Sequence, residues 1–333
     1  MQRQARRRHA GWARAAGLAA GVMLDAAVGD PRRWHPVAGF GRAASRVENL
    51  LWADSRARGA VFTSICVGAS VTVGAGLSRL GRSSALARTG MTALATWAVL
   101  GSKSLISEGL SVHRMLEAGD LPGARQQITH LVGRDPSELS ADEIARAAVE
   151  SVAENASDAV VAPLFWGAVA GMPGLLGYRA ANTLDAMVGY RSPRFERFGW
   201  ASARLDDLAN LAPSRATAAA VALISRSPRR TWEATRRFAH AHPSPNSGWC
   251  EAAYAGALGV RLGGSNSYAG RVEHRPRIGT GRAPVASDIP AAARLTKSVI
   301  LVTAIASAAA APAMTSLLGR VGPHRHREPG GVE

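Results

Sequence analysis

Lysine is nearly missing from this chain: Lys103 and Lys297 are the two among 40 basic residues, against 24 Asp and Glu. Aromatic residues are also scarce, at 5%. Cys66 and Cys250 are the two cysteines, too few for a disulfide framework or a cysteine-built zinc site. Helix-turn-helix, zinc-finger and RNA-binding signatures are missing too. The net charge of +16 therefore carries no nucleic-acid reading. There is no internal repeat and no standard phosphate-binding loop. Gly259-Val-Arg261-Leu-Gly263-Gly264-Ser-Asn266 has the glycines of an anion-holding turn but lacks the Lys and Ser/Thr of a P-loop.

What the chain does have is small apolar residues. Hydrophobic residues make up 47%, and there are 35 glycines. With few large side chains to fill a soluble core, this composition suits helices packed closely in a bilayer. A mean hydropathy of −0.01 hides a segregation, because arginines cluster between apolar stretches. Such basic links read as cytoplasmic loops, or as a site for anionic substrates.

Five stretches are candidate membrane spans: 15–28, 59–78, 89–102, 159–178 and 298–319. The clearest is 298–319, free of charge and with Pro312 inside, and 59–78 also matches the roughly 20 residues that cross hydrocarbon. The 15–28 stretch follows a basic tail, 1–14, and imitates a signal peptide. Asp25 and the following Gly29-Asp30-Pro31 argue for retention. Pro163, Gly171, Pro173 and Gly174 interrupt 159–178, which reads as a kinked span, as two half-helices, or as a buried helical hairpin.

Between the spans, 103–158 reads as amphipathic helices. Asp120-Leu-Pro-Gly and Arg134-Asp-Pro-Ser are turn signals, and a capping box at Ser140 and Glu143 opens the last helix. Residues 226–297 are basic and rich in Gly, Pro and Asn, and read as loop-rich and solvent-facing. The tail 320–333 reads as disordered. The expected fold is all-α: a polytopic, multi-pass protein of the cell membrane with polar, loop-rich cytoplasmic segments.

Acidic residues carry the strongest chemical signal. Glu150, Glu154 and Asp158 recur every four residues, so one helix face stacks all three. Like charges at that spacing repel, and next to an apolar segment they need compensation. A Mg²⁺ ion bridging carboxylates to phosphate supplies it; the bland alternative is a solvated acidic face. Asp206-Asp207 with Asn210 is a second possible Mg²⁺-phosphate cradle, or simply an acidic helix start. Asn182 and Asp185 share a helical face. Arg179, Arg191 and Arg204 are candidate phosphate clamps. His242-Pro-Ser-Pro-Asn246-Ser-Gly-Trp249-Cys-Glu251 is a rigid, ligand-capable loop.

These blocks, in this order, resemble the CobD/CbiB family of cobalamin biosynthesis, the adenosylcobinamide-phosphate synthases. The matching pieces begin with Leu24-Asp25 through Asp30-Pro31 and His35-Pro36-Val37, then Glu150 through Asp158 with Ala162-Pro163-Leu164-Phe165. They continue with Tyr178-Arg179 through Tyr190-Arg191, Phe198 through Asp207, and His242 through Gly264. The resemblance implies a multi-span membrane ligase. It would join adenosylcobyric acid, a corrinoid, to (R)-1-amino-2-propanol or its O-phosphate, using ATP and forming an amide. Other B12-pathway enzymes are conceivable partners.

The expected site has Mg²⁺ on Glu150, Glu154, Asp158, Asp206 and Asp207. Arg179, Arg191, Arg204, Asn246, Gly263 and Gly264 would hold ATP. His242 would serve as base, and Asp185 and Asn182 would position substrate. Two competing readings are a membrane prenyl- or phosphatidyl-type transferase, which also pairs acidic motifs with Mg²⁺-diphosphate, and a non-enzymatic scaffold for corrinoid enzymes.

Overall fold

A computed structural model describes residues 2–30, 35–133, 135–268 and 271–321. The fold is all-α apart from one antiparallel hairpin. Its helices are α1 (Gln2–Val28), α2 (Pro36–Leu51), α3 (Arg56–Leu80), α4 (Ala85–Val99), α5 (Ser102–Glu117), α6 (Leu121–Ile128) and α7 (Ala141–Ala156). They continue as α8 (Ala162–Ala170), α9 (Met172–Leu184), α10 (Trp200–Ile224), α11 (Pro228–Phe238), α12 (Ser247–Leu258) and α13 (Asp288–Val321). Strands β1 (Leu262–Tyr268) and β2 (Arg271–Ile278) form the hairpin, with a bulge between Leu262 and Gly264.

Among the described residues, the stretches Arg56–Ser83 and Asp288–Leu317 are long and apolar enough to cross a membrane. Their outward faces match: Val61, Ile65, Val71 and Val73 on one, and Leu301, Ile305 and Leu317 on the other, are exposed. Small residues bring the neighbouring helices close, as the composition requires. Gly11 lies against Pro312, and Gly17 and Gly21 lie against Thr92 and Thr96. One apolar core, built from α1, α4, α8, α9 and α13, contains Leu18, Leu100, Leu164 and Leu175. A second, larger core joins α5–α7, α10, α12, the hairpin and the start of α13, around Val112, Ile144, Val152, Tyr254 and Ile289.

The interrupted segment at 159–178 is a helical hairpin. Gly171 has φ +69°, a conformation other residues adopt at a cost, and there the chain turns back. Gly167 packs on Leu175, and Gly174 on the Trp166 carbonyl, so α8 and α9 run side by side. The turn frees carbonyls at the end of α8, and Arg14 of α1 donates to Ala168 and Val169 oxygens at 3.2 and 3.5 Å. A buried break in a helix needs such partners. At the open end of this hairpin the legs meet again: the Tyr178 hydroxyl, which donates to Asn210, also lies 3.3 Å from the Asp158 carbonyl.

Several local expectations are corrected. Asp120-Leu-Pro-Gly opens a helix rather than a free turn: Asp120 accepts from the Gly123 amide at 2.9 Å and Pro122 sits in the first turn of α6, where its missing N–H costs nothing. The stretch 226–297 is not a solvent-facing loop. It holds α11, α12 and the hairpin, and α12 is core, with Cys250, Ala252, Ala253, Tyr254 and Ala255 buried. The overall composition of this stretch masked a short apolar helix within it. The turn read at Arg134 and the Pro31 end of the first motif fall partly outside the described residues, as does the tail beyond 321. Helix α1 runs through the basic stretch from Gln2, and the capping box at Ser140 and Glu143 forms as expected.

Candidate active site

The hairpin of α8 and α9 opens onto a cavity of about 1040 Å³, lined mainly by polar and charged side chains from α7, α10, the 242–251 segment and β2. That exceeds the roughly 300–1,000 Å³ typical of small-ligand pockets. Glu150, Glu154, Asp158, Asp185, Asp206 and Asp207 all line it, with Arg191, Arg204, His242 and Asn246. Two acidic motifs far apart in the chain therefore face one chamber.

Backbone irregularity sits at the cavity. Immediately after α7, residues Ser157–Val161 form a π-turn, and Asp185–Gly189 form another after α9. Each begins at or beside a site aspartate. Such single-turn widenings are frequent at functional sites. The first leads on into α8 and the second forms the last turn before the chain becomes extended at Tyr190, so Asp158 and Asp185 both sit at widened turns.

Asn182 ties the centre together. Its Nδ2 donates to Asp158 Oδ2 and to Asp206 Oδ1, both at 3.3 Å. Asn210 donates to the other Asp206 oxygen at 3.0 Å and accepts from Tyr178 at 2.9 Å. Burial, then repulsion from Asp206, Glu154 and Asp185, pushes the Asp158 carboxyl well above its ordinary range. Burial, with Asp206 and Asp207 nearby, raises Asp185 to about 7. Asp206 rises to about 6, mainly through burial, although bonds from Asn182 and Asn210 oppose the rise. Burial also raises Asp207, opposed by Arg204 at 3.7 Å. This is the signature of carboxyls that take up protons unless a cation joins them.

The outer acids are engaged differently. Glu154 accepts from Ser247 Oγ at 2.7 Å. Glu150 accepts the Gly263 amide at 2.8 Å and lies 3.8 Å from Arg146, whose guanidinium also bonds the Gly263 carbonyl. The glycine turn expected to hold an anion thus already gives an amide to a carboxylate of its own chain. Gly263 and Gly264 border a separate hollow of about 430 Å³, beside Arg146, Arg261, Arg275 and Arg277. Among the described residues, no group of three or more His, Cys, Asp and Glu stands close enough to hold a metal unaided.

His242 is half-buried, with its side chain 8% exposed, and its Nδ1 accepts the Ser244 amide at 3.0 Å. That bond leaves the neutral ring's proton on Nε2, which faces Glu251 at 3.6 Å. Burial lowers its proton affinity, opposed by Glu154. Asn246 donates to the Asp207 carbonyl at 2.8 Å and accepts from Ser214 and Arg215, so it positions the start of α12. Arg191 and Arg204 are exposed at the rim. Arg179 faces elsewhere: it donates to Asn182 Oδ1 at 3.4 Å and lines an apolar pocket behind the site.

Arg56, Trp200, Ser247 and Arg275 also line the cavity, and motif reading passed over them as ligand groups. Arg275 lay in the stretch read as loop-rich, and nothing in the local spacing of Arg56 or Arg275 marks them.

The CobD/Cbib protein family model matches residues 18–296. This chain belongs to the CobD/CbiB family. It is 50% identical over 291 residues to the cobalamin biosynthesis protein CobD of Mycobacterium tuberculosis (strain ATCC 25618 / H37Rv), covering 86% of this chain and 92% of that one. The CobD of Rhodobacter capsulatus is 43% identical over 284 residues, 83% and 90% of the two chains. That of Chromobacterium violaceum is 40% identical over 299 residues, 87% and 94%. No solved structure matches. The family match runs from the middle of α1 into α13, and so takes in every residue of the CobD/CbiB cavity described above.

Proposed function

We propose that this protein, an enzyme of cobalamin biosynthesis, is a multi-pass membrane ligase that forms an amide between a corrinoid carboxyl group and an aminopropanol-type amine, at the expense of ATP. The observation that carries the reading is the cavity of about 1040 Å³. It is large enough for a bulky polar substrate and brings a crowded acidic centre together with arginines at its rim.

Amide formation at neutral pH needs an activated acyl group. The corrinoid carboxylate attacks the terminal phosphoryl group of ATP, releasing ADP and giving an acyl phosphate. The amine then attacks the acyl carbon and phosphate leaves. Asp158, Asp185 and Asp206 are the groups best suited to Mg²⁺, since burial and mutual repulsion already disfavour three bare carboxylates there. With no acidic trio close enough alone, substrate oxygens would complete its shell. A bound Mg²⁺ neutralises phosphate charge.

The chain's own residues do the rest. Asn182 and Asn210 fix the carboxylate orientations. Arg191, Arg204 and Arg56 supply positive charge for phosphate at the entrance. The incoming ammonium must lose a proton before it attacks. Glu251, beside His242, or a centre aspartate would accept it, because the His242 ring faces Glu251 with Nε2 and accepts at Nδ1.

The deciding assay combines detergent-purified protein, adenosylcobyric acid, Mg²⁺-ATP and either the free or the phosphorylated amine, with product mass measured. Formation of cobinamide or its phosphate with matching ADP release supports the reading. ADP release without product, or no turnover with either amine, overturns it. Membrane residence is tested separately: the protein should remain with sedimented membranes after an alkaline wash and dissolve only in detergent.

A further inference from the structure

On the far side of α9 from the acidic centre lies a pocket of about 380 Å³ between α2, α3, α4 and α9. Its walls are almost wholly apolar, with Val37 and Phe40 from α2, Ile65, Ala69 and Val73 from α3, and Ala180 from α9. Among the described residues, one charged side chain lines it, Arg179. The Arg179 Nε is buried and, among the described residues, has no hydrogen-bond partner. Its guanidinium makes one long bond, to Asn182 at 3.4 Å. Asp30 and Asp158 attract it only from beyond contact distance, so the buried charge is incompletely compensated, which is expensive, and apolar walls offer it nothing.

The pocket mouth adds the second constraint. Ile65 and Val73 are both lining residues and exposed. They belong to a helix long and apolar enough to cross a membrane. The pocket therefore opens toward the surface that would meet acyl chains. A small polar anion such as phosphate would satisfy Arg179 but waste the apolar walls. A neutral lipid would fill the walls but leave the guanidinium unpaired.

We propose that this pocket binds an anionic lipid from the bilayer, its acyl chain between α2 and α3 and its charged end toward Arg179. The site rests on the membrane reading above. It also touches the active site, because Arg179 donates to Asn182, and Asn182 to Asp158 and Asp206. A lipid phosphate on Arg179 draws the guanidinium from Asn182 and changes how that amide holds the two carboxyls. Lipid occupancy and ligase rate are thereby coupled.

The test uses full-length protein extracted from membranes, stripped of lipid in detergent, and offered phosphatidylglycerol, phosphatidylcholine or inorganic phosphate. Bound lipid is counted by native mass spectrometry and thermal stability is followed in parallel. Wild type should retain phosphatidylglycerol at least tenfold better than phosphatidylcholine, and phosphate should not compete at millimolar concentration. Ala69→Phe places a ring in the pocket at a position exposed on α3, so folding should survive while binding of the anionic lipid falls tenfold or more. Arg179→Gln should keep some lipid but lose the preference for negative charge.

Equal retention of both lipids by wild type overturns the proposal. So does undiminished phosphatidylglycerol binding in a folded Ala69→Phe protein, or competition by phosphate, which would make the site a simple anion hole. Protein that washes off membranes without detergent would defeat the membrane reading instead, before any lipid is added.

Discussion

The acidic cavity and the apolar pocket stand on opposite sides of one helix, with Arg179 and Asn182, one turn apart on α9, between them. The cavity gathers negative charge from three distant segments and half-satisfies it with amides. The pocket sets one positive charge, with Asp30 and Asp158 beyond contact distance, against apolar walls. Both leave buried charge poorly compensated, yet they call for different occupants. In the cavity the surroundings are polar, and under the proposed function its occupant would be a cation with phosphate. In the pocket they are apolar, so it is an anion that brings its own hydrocarbon. The identity of a buried charge says little about its partner until the neighbouring walls are known.

The largest expected effect separates the two regions outright. Asp206→Ala or Asp158→Ala should lower product formation by about 100-fold or more, as loss of a group stabilising reaction charge does. The membrane-inserted protein should persist at ordinary yield. Activity of either variant within a few-fold of wild type removes the acidic centre from catalysis.

Proton linkage sharpens the contrast next. Folding raises Asp185 to about 7 and Asp206 to about 6 from an unfolded value near 3.8. Between pH 4 and 7 the folded state therefore holds more protons than the unfolded one. Metal-free protein should lose stability as pH climbs through that window, by about 1.4 kcal/mol for each unit of difference per group, and lose no more above it from these groups. Melting temperatures in detergent should fall from pH 5 to pH 8, and Asp185→Asn should flatten the fall. A melting temperature that rises with pH in Mg²⁺-free buffer contradicts the crowded-carboxyl picture.

Asn182→Leu cuts the link between the regions. It deletes two donors to buried carboxyls, at a cost of about 1–3 kcal/mol. Because the Asn182 bond holds Asp206 down, the acidic limb of the rate profile should move to higher pH. An unmoved limb would mean Asn182 is mere packing.

The smallest effect belongs to the hairpin tip. Gly171→Ala forces a residue with a Cβ into a positive-φ region that is essentially glycine's own, costing about 1–3 kcal/mol, and would press on Arg14. The melting temperature should drop by a few degrees while the rate at low temperature holds. A large rate loss at unchanged stability would show that tip and mouth of the hairpin are mechanically coupled.

Much of the lining of the candidate cavity was legible from spacing and context. Glu150, Glu154 and Asp158 on one helix, and Asp206-Asp207 on another, stood out because acids crowded beside apolar segments need an explanation. Arg179 shows the limit. Its residue type suggested a phosphate clamp, but one turn of α9 turns it away from the cavity. Gly263 and Gly264 had the look of an anion-binding turn, yet Glu150 takes the Gly263 amide from across the fold. The buried helix α12 was hidden because its alanines and glycine lie within an otherwise basic, proline-containing stretch.

By itself the sequence determined the all-α class, the two long apolar helices, the capping box at Ser140 and the order of motifs that marks the family, because these depend on periodicity and on residues close together in the chain. Tertiary structure alone decided that α8 and α9 fold back at Gly171, that Asn182 bridges Asp158 and Asp206, and that Arg179 looks into hydrocarbon. Those outcomes depend on which surfaces meet across more than twenty residues of chain, where packing and burial, rather than local propensity, choose the partner.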